Sequence, residues 1–190
     1  MDPVDLASQL SRWTAAGKIV SLRRGVYAFG EPYRRRQPHP FEIANLLVRP
    51  SYVSLESALW FRGMLPEAVF AVTSVTTARP AGYETQLGTF DFRHLAPGMF
   101  WGYTTERLAP ANGALAFVAR SEKALLDLVY LRSGADAPAF LRGLRLARLE
   151  VLDPGVLTQM AERLGRPRLA RAAEQIARLV EDAAAQWEEL

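Results

Sequence analysis

Apolar residues open the chain at helical spacing. Leu6, Leu10 and Trp13 share one face of a predicted helix over residues 3–16, which Asp2 can cap, Pro3 can start and Gly17 can stop; Ser8, Gln9, Ser11 and Arg12 fall on other faces. The apolar trio is expected in the core. The next stretch, GKIVSLRRGVYAF, predicts two short strands, Ile19–Arg23 and Val26–Phe29, reversing through Arg24-Gly25, where glycine gives the freedom a tight turn needs. GEPYRRRQPHP follows, with three prolines, a glycine and an arginine run, and is expected to be a linker without regular structure.

A second region begins near Phe41. PFEIANLLV predicts a short helix, and Ser54 is expected to cap the next, LESALWFRG, with Glu56 in its first turn. VFAVTSVTT alternates as a β-branched strand, and YETQLGTFDFRHL reads as a hairpin reversing near Leu87-Gly88. FWGYTT and GALAFVA supply further strands. Downstream, Ser121 is expected to cap EKALLDLVYLR, burying Ala124, Leu125, Leu128 and Val129. Asp136 is expected to cap a short helix and Asp153-Pro154 to start PGVLTQMAERL, which Gly165 closes. From Arg168 the positions Leu169, Ala172, Ala173, Ile176, Leu179, Val180, Ala183 and Trp187 keep the helical period. That long helix is expected to pack on its own sheet, a homodimer seam being the alternative. The whole pattern predicts an α+β chain with a small, mainly antiparallel sheet packed with helices, a long C-terminal helix and no repeat. It divides into a basic segment, 1–36, and an α+β domain, 37–190.

Length and composition are those of a folded globular chain, with no apolar run approaching the roughly 20 residues that span a bilayer. Neither a basic leader nor a continuous apolar block marks the start, so a cytoplasmic protein without a membrane partner is expected. Cysteine is absent, which removes disulfides and thiolate metal sites. The net charge is +3, yet residues 1–49 alone hold eight basic and four acidic residues, an excess of four. Such asymmetry suits a phosphate backbone.

A helix followed at once by a basic hairpin matches the second half of a winged helix-turn-helix, whose helix enters the major groove while its hairpin touches the backbone. On that reading Arg12, Lys18, Arg23 and Arg24 meet phosphates, Ser8 and Ser11 lie on the DNA-facing side of the helix, and Arg34, Arg35 and Arg36 assist. An ordinary helix–hairpin packed on a core is the alternative. Catalytic signals are absent. There is no Walker loop, GxGxxG or GxSxG, and Ser121-Glu122-Lys123 lacks the Ser-x-x-Lys spacing. His39 and His94 are too few for a zinc site, and Glu122 and Asp127 fall on different faces of one helix. No cofactor, metal or catalytic residue is expected, and the chain is expected not to be an enzyme.

The segments LSRWTAAGKIVSLRRGVYAF, SYVSLESALWFRGMLPE, VFAVTSVTTAR, TQLGTFDFRHL with FWGY, and ARSEKALLDLVYL, in this order across about 120 residues, resemble the AbiEi-type antitoxins and related transcriptional regulators of type IV toxin–antitoxin systems. The resemblance implies an N-terminal winged helix-turn-helix that binds operator repeats upstream of its own operon. It also implies a second domain that helps neutralise a nucleotidyltransferase toxin, and no enzymatic activity of its own. The recognition helix would fall on about residues 5–16 and the wing on residues 19–29. Family members carry one or two helices ahead of the recognition helix, whereas this chain begins almost at it. Either the true start lies upstream or the module is reduced; if reduced, Leu6, Leu10 and Trp13 must bury against the second domain or another chain. A protein-interaction antitoxin without operator binding is the alternative function, and an uncharacterised enzyme a third.

Overall fold

The computed structural model describes residues 3–67, 69–109 and 113–188. Its fold is α+β. Helix α1 (Pro3–Ala15) leads into the hairpin β1 (Ile19–Arg23) and β2 (Val26–Phe29), with the strand limits and the reversal where the sequence places them. After a short 3-10 turn, Glu31–Tyr33, the chain forms α2 (Pro40–Leu47), β3 (Ser51–Val53), α3 (Leu55–Phe61) and β4 (Ala71–Thr76). Then come β5 (Ala81–Thr85), β6 (Gly88–His94), β7 (Tyr103–Ala109) and β8 (Ala114–Ala119). Four helices finish the chain: α4 (Ser121–Leu131), α5 (Pro138–Gly143), α6 (Pro154–Leu164) and α7 (Pro167–Glu188).

Strands β3 to β8 form one six-stranded sheet in the order β5-β6-β4-β3-β8-β7. It is mixed. β5/β6, β3/β4 and β7/β8 run antiparallel, while β4/β6 and β3/β8 run parallel. The hairpin pattern foretells the β5/β6 pair. The parallel pairs join strands distant in sequence, which no local signal encodes. β3, which the sequence reading missed, is three residues long and wholly buried at the centre of the sheet.

Helix α4 is the hub. Every residue from Ser121 to Val129 is buried, not only the apolar face, because α3, α6, α7 and β8 all pack around it. Two of those buried residues are charged. Lys123 and Asp127 lie one turn apart, both with no exposed side-chain surface, and form an ion pair. The Asp127 carboxylate also accepts hydrogen bonds from Tyr52 Oη (2.9 Å) and Ser54 Oγ (2.8 Å), and Lys123 Nζ donates to Tyr52 Oη at 2.9 Å. Lys123 also lies over the ring of Trp101, whose other cation neighbour, Arg163, stands 4.1 Å from the ring centroid. Burial pushes the Asp127 carboxyl up and the Lys123 ammonium down from their ordinary values, and each opposes the other's shift. The network thus ties α4 to β3 and to the start of α3 from inside the core.

Several expected caps are filled differently. Ser54 does not cap α3, because its hydroxyl is committed to Asp127. Instead Ser57 and Thr73 bond reciprocally: Thr73 N donates to Ser57 Oγ at 2.8 Å and Ser57 N to Thr73 Oγ1 at 3.1 Å. Ser121 is the first residue of α4 rather than its cap. Asp136 caps nothing; it accepts from Arg168 at 3.0 Å and Arg171 at 2.9 Å, pinning the start of α7 to the α4–α5 loop. Asp153 does cap α6, accepting from Gly155 N and Val156 N, and Gly165 closes that helix. Helix α7 packs on α6 and α4 rather than on the sheet, burying Leu169, Ala172, Ala173 and Ile176. The Trp187 side chain lies outside the described residues.

Replacing Lys123 with Met leaves a buried carboxylate without its counter-charge. The expected loss is about 3–5 kcal/mol in urea unfolding. A Lys123→Met/Asp127→Leu double variant is expected to lose less than the sum of the two single variants, because the pair acts as one unit. Strict additivity would show that the pair is not coupled.

Candidate nucleic-acid interface

The helix–hairpin unit is fixed by backbone chemistry at its neck. Gly17 takes a left-handed conformation (φ 68°), Gly17 N donates to the Thr14 carbonyl and Lys18 N to the Trp13 carbonyl at 2.9 Å, which closes α1 in a Schellman arrangement. The far end of the hairpin returns to the same point, where Gly30 N donates to the Lys18 carbonyl at 2.8 Å. A Cβ on Gly30 would sit 1.9 Å from the Gly17 carbonyl oxygen, so only glycine fits this neck. The direction in which α1 leaves the hairpin is therefore set by two glycines, while Leu22 on the inner face of β1 joins the main hydrophobic core.

Ser8, Ser11, Arg12 and Lys18 are all exposed on α1 and at its end. Arg12 lies in the last turn of α1, and its Nε reaches the Ser8 carbonyl at 3.4 Å. At the hairpin reversal Arg24 is exposed, with no ion-pair partner among the described residues. Arg23 differs from expectation. It is half-buried, its Nε is enclosed without a partner, and its terminal nitrogen donates to the Arg24 carbonyl at 3.4 Å. Neither arginine is held by an acid among the described residues.

The expected core role of the α1 trio is not met. Leu6 is 45% and Trp13 38% exposed, and Leu10 is half-buried. None of the three is buried. A complete winged helix-turn-helix is not present among these residues; the structure has the helix and hairpin alone.

The arginine run divides three ways. Arg34 donates to the Phe29 carbonyl (3.0 Å) and to Gln37 Oε1 (2.8 Å), and Arg36 grips Glu42 of α2 through two bonds of 2.8 and 2.6 Å. Only Arg35 is exposed without an ion-pair partner among the described residues. The Arg36 guanidinium holds the Glu42 carboxyl below the usual carboxylate range. The segment expected to be a structureless linker thus contains a 3-10 turn and is clamped to α2. His39 completes that clamp: it precedes α2, and its Nδ1 accepts from Phe41 N at 3.1 Å. Burial pushes the imidazole below its ordinary value, against the opposing pull of Glu42.

Among the described residues Arg12, Lys18, Arg24 and Arg35 are therefore the exposed cations of the predicted set without an ion-pair partner, while Arg34 and Arg36 are largely spent on structure. In the sequence Ser54 reads as a helix cap and Lys123 as part of a Ser-x-x-Lys comparison that fails, and Tyr52 is not singled out, so their joint network is not foreseen. Their signal was a lysine and an aspartate at i,i+4 within an apolar helical run, where a charge is costly unless paired. All three and Asp127 are fully enclosed, so this cluster acts as a cross-link in the core. His94 lies at the end of β6, its Nδ1 3.0 Å from the Ala78 carbonyl oxygen.

Two variants test this geometry. Gly30→Ala is expected to destabilise the helix–hairpin neck by about 1–3 kcal/mol, as for other overpacked sites, and to speed protease cutting after Lys18; unchanged proteolysis would show the neck to be loose. His39 binds fewer protons folded than unfolded below its ordinary pKa, so its contribution is full above that value and fades as pH falls through the histidine range. His39→Asn keeps a cap acceptor, and is expected to remove that pH-dependent component of the melting temperature between neutral and mildly acidic buffers. No protein-family model matches this chain, and no curated protein matches it.

Proposed function

We propose that this chain is a DNA-binding transcriptional regulator that doubles as the antitoxin of a type IV toxin–antitoxin system, repressing its own operon and countering a nucleotidyltransferase toxin. The observation that carries the DNA-binding part is the hairpin tip. Arg24 stands exposed there with no ion-pair partner among the described residues, directly behind a helix whose Ser8, Ser11 and Arg12 are open to solvent, with Lys18 at their junction. Duplex phosphates neutralise such free cations and release counterions as they do so. The antitoxin part rests on the resemblance of the ordered segments to the AbiEi-type family. In this reading the protein needs no catalytic residue and no cofactor, and α1 with the hairpin contacts DNA while the larger sheet serves the toxin-countering role.

A second reading has its own support: the exposed Leu6 and Trp13 on α1 suit a protein-interaction antitoxin that does not bind an operator. The two separate cleanly. Arg24→Ala and Lys18→Ala are each expected to weaken binding to the upstream region of the gene and to unrelated duplex alike, and to lower the slope of log affinity against log salt by about 0.9. Mobility shifts at two salt concentrations check this. Binding and slope indifferent to both substitutions would rule out the hairpin as a phosphate contact, and a wild-type chain that does not bind the upstream region would favour the interaction module. A nucleotidyltransferase gene beside this one supports both antitoxin forms.

A further inference from the structure

Between α2 and the outer face of β7–β8 runs a groove of about 740 Å³, lined by Asn45, Leu46, Arg49, Tyr103, Leu115 and Phe117 among others. Leu115 and Phe117 alternate outward along β8 and are about half exposed, as is Leu46 on α2. A second groove of about 640 Å³ shares Glu42 and Leu46 with the first and carries the apolar floor on to Tyr33 and Phe29. The rim is basic. Arg49 is exposed, and Arg107, the ladder neighbour of Leu115, is exposed on the same face; neither has an ion-pair partner among the described residues. Among the described residues the one acid lining either groove, Glu42, is already held by Arg36. What fits is an apolar segment bordered by free carboxylates.

The chain carries such a segment itself. Beyond Arg178 no basic residue occurs, and Glu181, Asp182, Glu188 and Glu189 are interleaved with Leu179, Val180, Ala183 and Trp187. This is also where the burial of α7 tapers off. Ile176 is the last buried residue among the described side chains of α7; Leu179 and Val180 still pack, half-buried, against the core and Ala183 lies beside Leu146 and Leu149, while Glu181 and Asp182 are exposed and the helix continues to Glu188. We propose that two copies of this chain associate reciprocally, the acidic end of α7 from each lying along the basic-rimmed α2/β7–β8 groove of the other. The arrangement is isologous and closed, so it ends at a dimer.

Sedimentation of the full chain at micromolar concentration is the test, and its charge variants lie outside the residues assigned to DNA. The wild-type chain is expected to sediment as a dimer that weakens as salt rises. Arg49→Glu/Arg107→Glu and, separately, Glu181→Arg/Asp182→Arg are each expected to weaken association by tenfold or more, a shift on the order of that seen when interfacial charges are reversed. Combining all four restores the dimer, because the charges are again opposite. Leu115→Ser/Phe117→Ser, at two exposed positions, is expected to give a folded monomer with unchanged far-UV circular dichroism. A monomeric wild-type chain, dimers indifferent to either charge reversal, or a fourfold variant that stays monomeric would each overturn the proposal.

Discussion

Two opposite charges enclosed together impose the strongest constraint in this molecule. Lys123 and Asp127 sit on the most deeply buried helix, and neither tolerates the interior alone, since an isolated buried ion costs several kcal/mol even after relaxation. Their mutual pairing leaves further lone pairs to satisfy, and Tyr52 and Ser54 supply the partners. This fixes β3 and the start of α3 against α4. Leu55, just after Ser54, is left-handed (φ 56°), a conformation that ordinarily costs a side-chain-bearing residue about 1–2 kcal/mol. The Ser54–Asp127 bond on one side and the Ser57–Thr73 exchange on the other hold it there. An apolar replacement of the pair would pack as well but would not specify these directions so sharply.

The surface follows a different rule. Many of its arginines are spent on architecture: Arg36 on Glu42, Arg62 on Glu106, Arg132 on Glu56, and Arg168 with Arg171 on Asp136. Exposed pairs of this kind add little stability each, but they join segments distant in sequence and so set the packing of elements. The cations left over are therefore informative. Among the described residues Lys18 stands at the helix–hairpin neck, Arg24 at the hairpin's opposite end and Arg35 in the segment that follows, while Arg49 and Arg107 border the apolar groove. The first group suits a polyanion and the second an acidic apolar segment. The two surfaces approach each other across α2, where Arg36, Glu42 and Leu46 belong to both grooves or to their rim.

Local chemistry was legible in the chain itself. The hairpin, its turn at Arg24-Gly25, the start of α6 at Asp153, its stop at Gly165 and the long period of α7 all depend on residues within a few positions of each other, so propensity and spacing suffice to read them. The α+β class follows from the same signals. The basic cluster was visible too, because composition alone shows an excess of arginine ahead of residue 50.

Only the tertiary structure decided the rest, since long-range partners choose among locally equivalent options. A serine before a helix reads as a cap, yet Ser54 turned inward because a buried carboxylate 73 residues away needed a donor more than the helix end did. An arginine run reads as uniformly solvated, but Glu42 and the Phe29 carbonyl claimed Arg36 and Arg34 and left Arg35 free. Strand β3 is too short to show a period and exists because β4 and β8 complete its hydrogen bonds. The apolar stripe of α1 reads as core, yet Leu6 and Trp13 are exposed, because amphipathicity states that a face prefers burial and not what, if anything, will bury it.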